Sequence, residues 1–407
     1  MKRPRTYLVL LAFAIPGCHT DLSMDALAPD LSTGPDRSDL RVEPDLSIVG
    51  ADLVAGPLTT LEFTARTFVT PGCDPAIIGV GDFGDGSSED VVTGCGGRLI
   101  IAFRRNANEG LISSVPRALT NPVVYDGLRV GDVNGDGKTD VVAAVGLGGF
   151  ATLLGDGAGG LTIPTYWNPE QAQNWDGLVV RDLDGDGAAD LIGVAPNPMG
   201  KALLTVGRSD GHGAYVAMPV GNHGVALSLS VPVMGDLDSD GLSDLVALDY
   251  NSVPNVLLRS GPWTFLPAKP VPVGLQPASL ELGDFNEDGH LDGVGVDGLL
   301  RKGRIVIGDG AGWFQPGQEF VTEKAPLDPV LADFNRDGHL DVAIANDRSS
   351  SFTMLLGHGD GTFDVSQIPL GKDVPYSLKV IDFNGDGLPD LIGGIPMGLL
   401  LLQNTSH

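Results

Sequence analysis

Basic residues are scarce in this chain: 25 Lys and Arg stand against 52 Asp and Glu in 407 residues, a net charge of -27 at pH 7. A surface of that sign repels phosphate backbones and argues against a nucleic-acid partner. Cysteine is nearly absent, with three residues, and the seven histidines are scattered. No zinc spacing and no nucleophile–base spacing emerges from them, which disfavours an enzyme. Aromatics are only 6%. Beyond residue 18, no apolar run approaches the length of a membrane span. Glycine is what the chain has in excess, at 58 residues, as many short strands joined by tight turns require.

The chain opens with Lys2, Arg3 and Arg5, followed by an apolar stretch at 7–15 that is too short to cross a bilayer. Ile15-Pro16-Gly17-Cys18 resembles a bacterial lipobox. Residues 1–18 then form a lipoprotein signal peptide, with Cys18 acylated and the chain exported and held by lipid at a bacterial outer membrane or cell surface. Pro16 departs from the motif, which leaves ordinary secretion as the alternative. Residues 19–58 are rich in Asp, Pro, Ser and Leu and have no sustained period, so they are expected to be a disordered tether. Cys73 and Cys95 remain; in an exported chain they are expected to pair, with two reduced buried thiols as the alternative.

From residue 59 a single pattern repeats. Asp-x-(Asp/Asn)-x-Asp-Gly-x-x-Asp begins at Asp132, Asp182, Asp236, Asp284, Asp333 and Asp382, and a worn copy begins at Asp82. The starts are 48 to 54 residues apart. Apolar runs of strand length enter and leave each loop, a third run leads to a glycine-rich turn such as 155–159, 308–312 or 357–361, and a more polar fourth run returns. Four antiparallel strands per repeat describe a propeller blade. The last repeat stops after its third strand, and an orphan strand at 61–69 precedes the first. The expected fold is all-β: a seven-bladed β-propeller over 59–407, with the N-terminal strand closing the last blade.

Positions 1, 3, 5 and 9 of each loop offer side-chain oxygens, position 6 is Gly, and position 7 can add a backbone carbonyl. The candidate ligands are therefore Asp132, Asn134, Asp136, Lys138 and Asp140; Asp182, Asp184, Asp186, Ala188 and Asp190; Asp236, Asp238, Asp240, Leu242 and Asp244. The later loops add Asp284, Asn286, Asp288, His290 and Asp292; Asp333, Asn335, Asp337, His339 and Asp341; Asp382, Asn384, Asp386, Leu388 and Asp390. Hard oxygens in a small flexible loop suit Ca²⁺, so about six calcium sites are expected. Position 12 is never Glu and no helix follows, which excludes an EF-hand. Like charges about 4 Å apart cost roughly 1 kcal/mol in water and about 4 at an effective dielectric of 20. A turn-forming role alone does not account for such crowding, and only Lys138 and Arg336 offer a countercharge within a loop. The copy at Asp82 has Gly84 and Gly86 where oxygens belong and is expected to bind weakly or not at all.

The loops, the fifty-residue period and the glycine turn before an aromatic (Trp313-Phe314, Thr362-Phe363) resemble the FG-GAP/VCBS repeat family, whose relatives include the N-terminal propeller of integrin α subunits. The resemblance covers 59–407. It implies Ca²⁺ in the loop joining the first two strands of each blade, and partners on the opposite face. The fourth blade departs, with Arg259-Ser260-Gly261-Pro262-Trp263 in place of the glycine turn.

The leading functional expectation is a calcium-binding, membrane-tethered scaffold for adhesion to a protein or polysaccharide. Contact loops are expected opposite the acidic ones, at 166–175, 221–224, 250–251, 346–348 and Tyr376. Tyr166, Trp167 and Trp175 are the candidate ligand-stacking residues, with packing as the competing role. A lyase-like enzyme on polysaccharide and a purely structural exported protein are the alternatives.

Overall fold

A computed structural model of the chain describes residues 46–48, 61–70, 75–84, 89–95, 97–105, 110–146, 149–169, 177–196, 202–218, 232–249, 251–271, 274–371 and 375–406. Every regular element among them is a β-strand. No helix among them is long and apolar enough to cross a membrane.

The strands form seven antiparallel blades. The second blade is representative. Its inner strand Val123–Gly131 pairs with Asp140–Val145, that strand with Gly149–Leu153, and the outermost strand is Thr165–Trp167. In all seven blades the second strand is buried on both faces along the stretch for which burial is described, because blades stack face to face; this is why it is written mainly in Val, Ile, Leu, Ala and Gly. The seventh blade is closed as expected: Phe63–Val69 pairs with Gly398–Asn404 in one unbroken register, from Phe63 opposite Asn404 to Val69 opposite Gly398.

The core is divided into seven apolar clusters, one at each interface between neighbouring blades. The cluster that joins the chain's two ends contains Phe68, Phe383 and Leu399 with Ile78, Val91 and Phe103. Phe68 and Phe383 lie 5.7 Å apart, centroid to centroid. Full burial of each such side chain contributes about 2–3 kcal/mol.

Two features stand apart from the regular blade. Within 19–58, Leu46–Ile48 forms a short strand beside Phe63–Val69, with Leu46 opposite Ala65; an outermost strand has unpaired amides and carbonyls that a further segment can satisfy. In the fourth blade, Arg259–Gly261 and Thr264–Phe265 make a separate hairpin where other blades have a glycine turn, and the outer strand shrinks to Lys269–Pro270.

Candidate metal centres

Each acidic loop joins the inner strand of a blade to its second strand, so all the described loops lie on one rim. The side chain at position 2 is apolar and inserts between its own blade and the next: Val133, Leu183, Leu237, Phe285, Phe334 and Phe383 are each buried in a different interface cluster. Position 6 has positive φ in every intact loop, from 77° at Gly387 to 92° at Gly338, which favours glycine there.

Position 9 is the first residue of the second strand and is wholly buried in the six intact loops. Its carboxylate is a clamp. In the sixth blade Asp341 Oδ2 accepts the Phe334 amide and Oδ1 the Gly357 amide, both at 2.8 Å. The same pair of bonds holds Asp140, Asp190, Asp244, Asp292 and Asp390. Loop, second strand and third strand are thereby tied at one point. Burial pushes Asp341 and Asp390 up to about 7, and Asp140 and Asp190 to about 6, against the opposing pull of these N–H donors.

The carbonyl at position 2 is held from the next blade in all seven cases, by two chemistries. Glycine-turn amides do it in three: Gly159 to Phe83, Gly312 to Leu237 and Gly361 to Phe285. Side chains do it in the others: Ser209 Oγ to Val133, Arg259 Nη1 to Leu183, Asn404 Nδ2 to Phe334 and Arg105 Nη1 to Phe383. The fourth blade lost its glycine turn and kept the bond.

Within the loops, position 1 accepts backbone amides of its own turn, as Asp132 does from Gly135, Asp136 and Gly137. Position 5 accepts the amide of position 7, whether Lys138, Ala188, Leu242, His290, His339 or Leu388. Three carboxylates converge with one oxygen each inside a 4.8 Å span in two loops among the described residues: Asp182, Asp184 and Asp190, and Asp236, Asp238 and Asp244. These are the loops with Asp at position 3. In the fourth blade Asp238 Oδ1 is buried with no hydrogen-bond partner, and burial followed by repulsion from Asp240 raises its pKa. An unsatisfied carboxylate oxygen among hard oxygen donors fits a divalent cation.

The third blade differs. Arg208, on the third strand, donates from Nε to Asp184 at 2.9 Å and from Nη2 to Asp186 at 3.0 Å. The register that places it there puts Leu154, Leu258, Ile307 and Leu356 at the same position in other blades. Sequence reasoning missed this countercharge because it lies on another strand. Lys138 does reach its own loop, 3.5 Å from Asp136, whereas Arg336 donates to the carbonyl of Asp386 in the neighbouring loop. In the fifth, sixth and seventh blades, where position 3 is Asn, its amide donates to position 5: Asn286 to Asp288, Asn335 to Asp337 and Asn384 to Asp386. Adjacent loops also touch through His339 and Glu287.

Three segments match the model of the FG-GAP-like repeat, at 132–193, 236–294 and 333–393. Each runs from position 1 of one acidic loop to just past the next, so together they take in all six intact loops. The chain carries FG-GAP-like repeats. Crystal structures of BBS1N in complex with ARL6DN share the fold, at a TM-score of 0.53 and 12% identity. The mercury-soaked one is matched over 88% of this chain and 95% of that one, the lead-soaked one over 90% and 97%. None of the curated proteins compared matches the chain.

Other expected site residues fall outside the FG-GAP-like loops. Trp167 stacks on Phe150 at 5.7 Å and meets Tyr215 at 5.6 Å, in the interface between the second and third blades. It fits because Gly207 has no Cβ; one placed there would lie 2.8 Å from the indole. Tyr166 packs at the interface of the first and second blades, and its hydroxyl accepts the Thr120 amide at 2.9 Å. Asn346 is buried and bonded to Ser351 and Thr353, so it is part of the blade and not of a contact loop. Cys95 is buried and disulfide-bonded. Cys18, Cys73, Trp175, the segment 221–224, Tyr250 and 85–88 of the worn loop lie outside the described residues.

Proposed function

We propose that this chain is a calcium-binding propeller that works outside the cytoplasm, tethered through Cys18, as a scaffold for a protein or polysaccharide partner. The orphaned Asp238 Oδ1, buried among the carboxylates of the fourth loop, is the observation that carries the cation reading. The intact loops, six in number, are the proposed sites. Bound there, Ca²⁺ supplies positive charge and neutralises crowded carboxylates. Asp at positions 1, 5 and 9, Asp or Asn at position 3 and the carbonyl at position 7 would hold it.

The partner surface is proposed on the rim opposite these loops. There the hairpins between second and third strands expose Leu299 (87%), Leu300 (64%) and Met397 (68%). Apolar tips of this kind on an acidic protein favour a protein partner over a glycan. The export and anchoring parts of the reading rest on the basic and apolar pattern of residues 1–18.

Calcium titration of chelator-treated protein by calorimetry, with thermal melts beside it, tests the reading. Bound calcium in the dialysed protein and a fall in Tm with EDTA are expected. Absence of both would overturn the cation reading. An array of matrix proteins and glycans, probed with wild type and with Leu299→Ser/Leu300→Ser, tests the scaffold; binding that this double variant leaves intact would place the partner elsewhere.

A further inference from the structure

The inner strands of the seven blades surround a central cavity of about 470 Å³. Their register is uniform at one level: the residue three before each acidic loop always pairs with the residue two past its ninth position, as Arg129 does with Val142, Glu281 with Val294 and Lys379 with Ile392. Three blades therefore place a charge at the same height in the bore. Gly79, Val179 and Val233 occupy that height in the first, third and fourth blades.

At this height the charges are sorted by sign; Glu89 of the first blade and Arg181 of the third also line the cavity, nearer the acidic loops. The first blade sits between the seventh and the second, so Lys379 and Arg129 flank the gap left by Gly79. Glu281, in the fifth blade, faces them across the bore. Asp328 stands beside Glu281 on the sixth blade, on a bulge where register slips between Leu327 and Val330. Its backbone is held at a φ of 44°, unusual outside glycine, and its amide donates to Ser279 Oγ at 3.1 Å. The four groups share one electrostatic space. Glu281 is half-buried and its carboxyl is raised by burial, opposed by Lys379 and Arg129 and reinforced by Asp328. Between the two walls, Val179, Val233 and Met234 make an apolar flank. Nothing in the cation loops calls for this arrangement, and a channel needing only neutrality would have no reason to segregate its charges.

We propose that this level of the channel binds a small zwitterion with an aliphatic body: a free amino acid of the leucine type or a short peptide of such residues. Its carboxylate lies toward Arg129 and Lys379, its ammonium toward Glu281 and Asp328, and its side chain against Val179, Val233 and Met234. The volume is that of an ordinary small-ligand pocket. Charged donors and acceptors that are half-buried, as these four are, bind a matching dipole more strongly than fully exposed ones do.

Calorimetry on the full chain in excess calcium, with L-leucine and L-leucyl-L-leucine as separate probes, tests the assignment and distinguishes the two sources. Saturable binding of at least one is expected. Isoamylamine, which lacks the carboxylate, and 4-methylpentanoate, which lacks the ammonium, should each bind about tenfold more weakly or worse. Glu281→Gln and Lys379→Met should each weaken the better probe by a similar factor while Tm stays at the wild-type value. If one variant does not fold, the other and the two truncated probes still decide the matter. No heat with either probe at millimolar concentration, or affinity unchanged in a folded variant, would overturn the proposal. Either result can occur whether or not the loops hold calcium.

Discussion

Arg259 Nη1 donates to the main-chain carbonyl of Leu183 at 2.7 Å, across the boundary between the third and fourth blades. The guanidinium takes over the bond that Gly159, Gly312 and Gly361 amides make elsewhere in the ring. A repeat can thus lose its glycine turn without freeing its neighbour's loop.

Replacing that side chain should therefore be costly. Arg259→Ala leaves a buried carbonyl without a donor, for which about 1–3 kcal/mol of stability is expected to be lost. Arg259→Lys, which retains a cationic donor, should recover part of it. Chemical denaturation of the two variants beside wild type measures the difference; equal stability of Arg259→Ala and wild type would contradict the role.

Arg208 sets the third loop apart. A cation entering between Asp184 and Asp186 has to displace a two-pronged guanidinium. Because the pair is exposed and screened by water, it adds little to stability. Arg208→Met should tighten calcium at one site by about two- to fivefold, and lower the stability of the chelated protein slightly. Calorimetric titration resolves the first effect, and melting in EDTA the second.

Asp238 offers the opposite case. Asp238→Asn makes the fourth loop resemble the second, fifth, sixth and seventh, which have Asn at position 3. One calcium site should weaken by about tenfold, since ligand charge count governs affinity in such loops. Without calcium the variant should be as stable as wild type or more so, by at most about 1 kcal/mol, because repulsion from Asp236 and Asp240 is relieved. Unaltered calcium binding would remove Asp238 from the site.

The clamp carboxyls give a pH dependence of defined sign. Asp341 and Asp390 titrate in the folded protein at about 7, Asp140 and Asp190 at about 6, against 3.8 unfolded. Between those values the folded state binds more protons than the unfolded chain, so stability of the chelated protein falls as pH rises from about 4 to about 7. Calcium competes with those protons, and the rise in Tm it confers should grow over the same interval. Melting curves across that range, with EDTA or calcium, check both slopes. A chelated protein that becomes more stable toward neutral pH would be inconsistent with carboxyls raised by burial.

Much of this architecture was legible in the residues. The period, the Asp-Gly turns and the orphan strand at 61–69 are local patterns, and each led to the element found. The clamp was half visible: position 9 always opens an apolar run, which places a carboxylate where a strand is about to be buried. What escaped notice depends on pairing between strands. Arg208 meets its loop through the register of a third strand more than twenty residues later, and no spacing rule reports it. Trp167 was open to both ligand stacking and packing because its pocket is an absence, the missing Cβ of Gly207 forty residues on. The sorted charges of the bore become apparent only when Arg129, Glu281 and Lys379, distant in the chain, are set at one height.

The pairing of Phe63–Val69 with Gly398–Asn404 also constrains the order of events during synthesis. The segment Phe63–Val69, rich in apolar side chains, must wait for its partner until residues 398–404 have been made. Six blades can assemble as they emerge, but the ring can lock only once Gly398–Asn404 is available. A chain truncated before Gly398 would keep nearly all of its sheets and have no latch, open to pairing with another such chain.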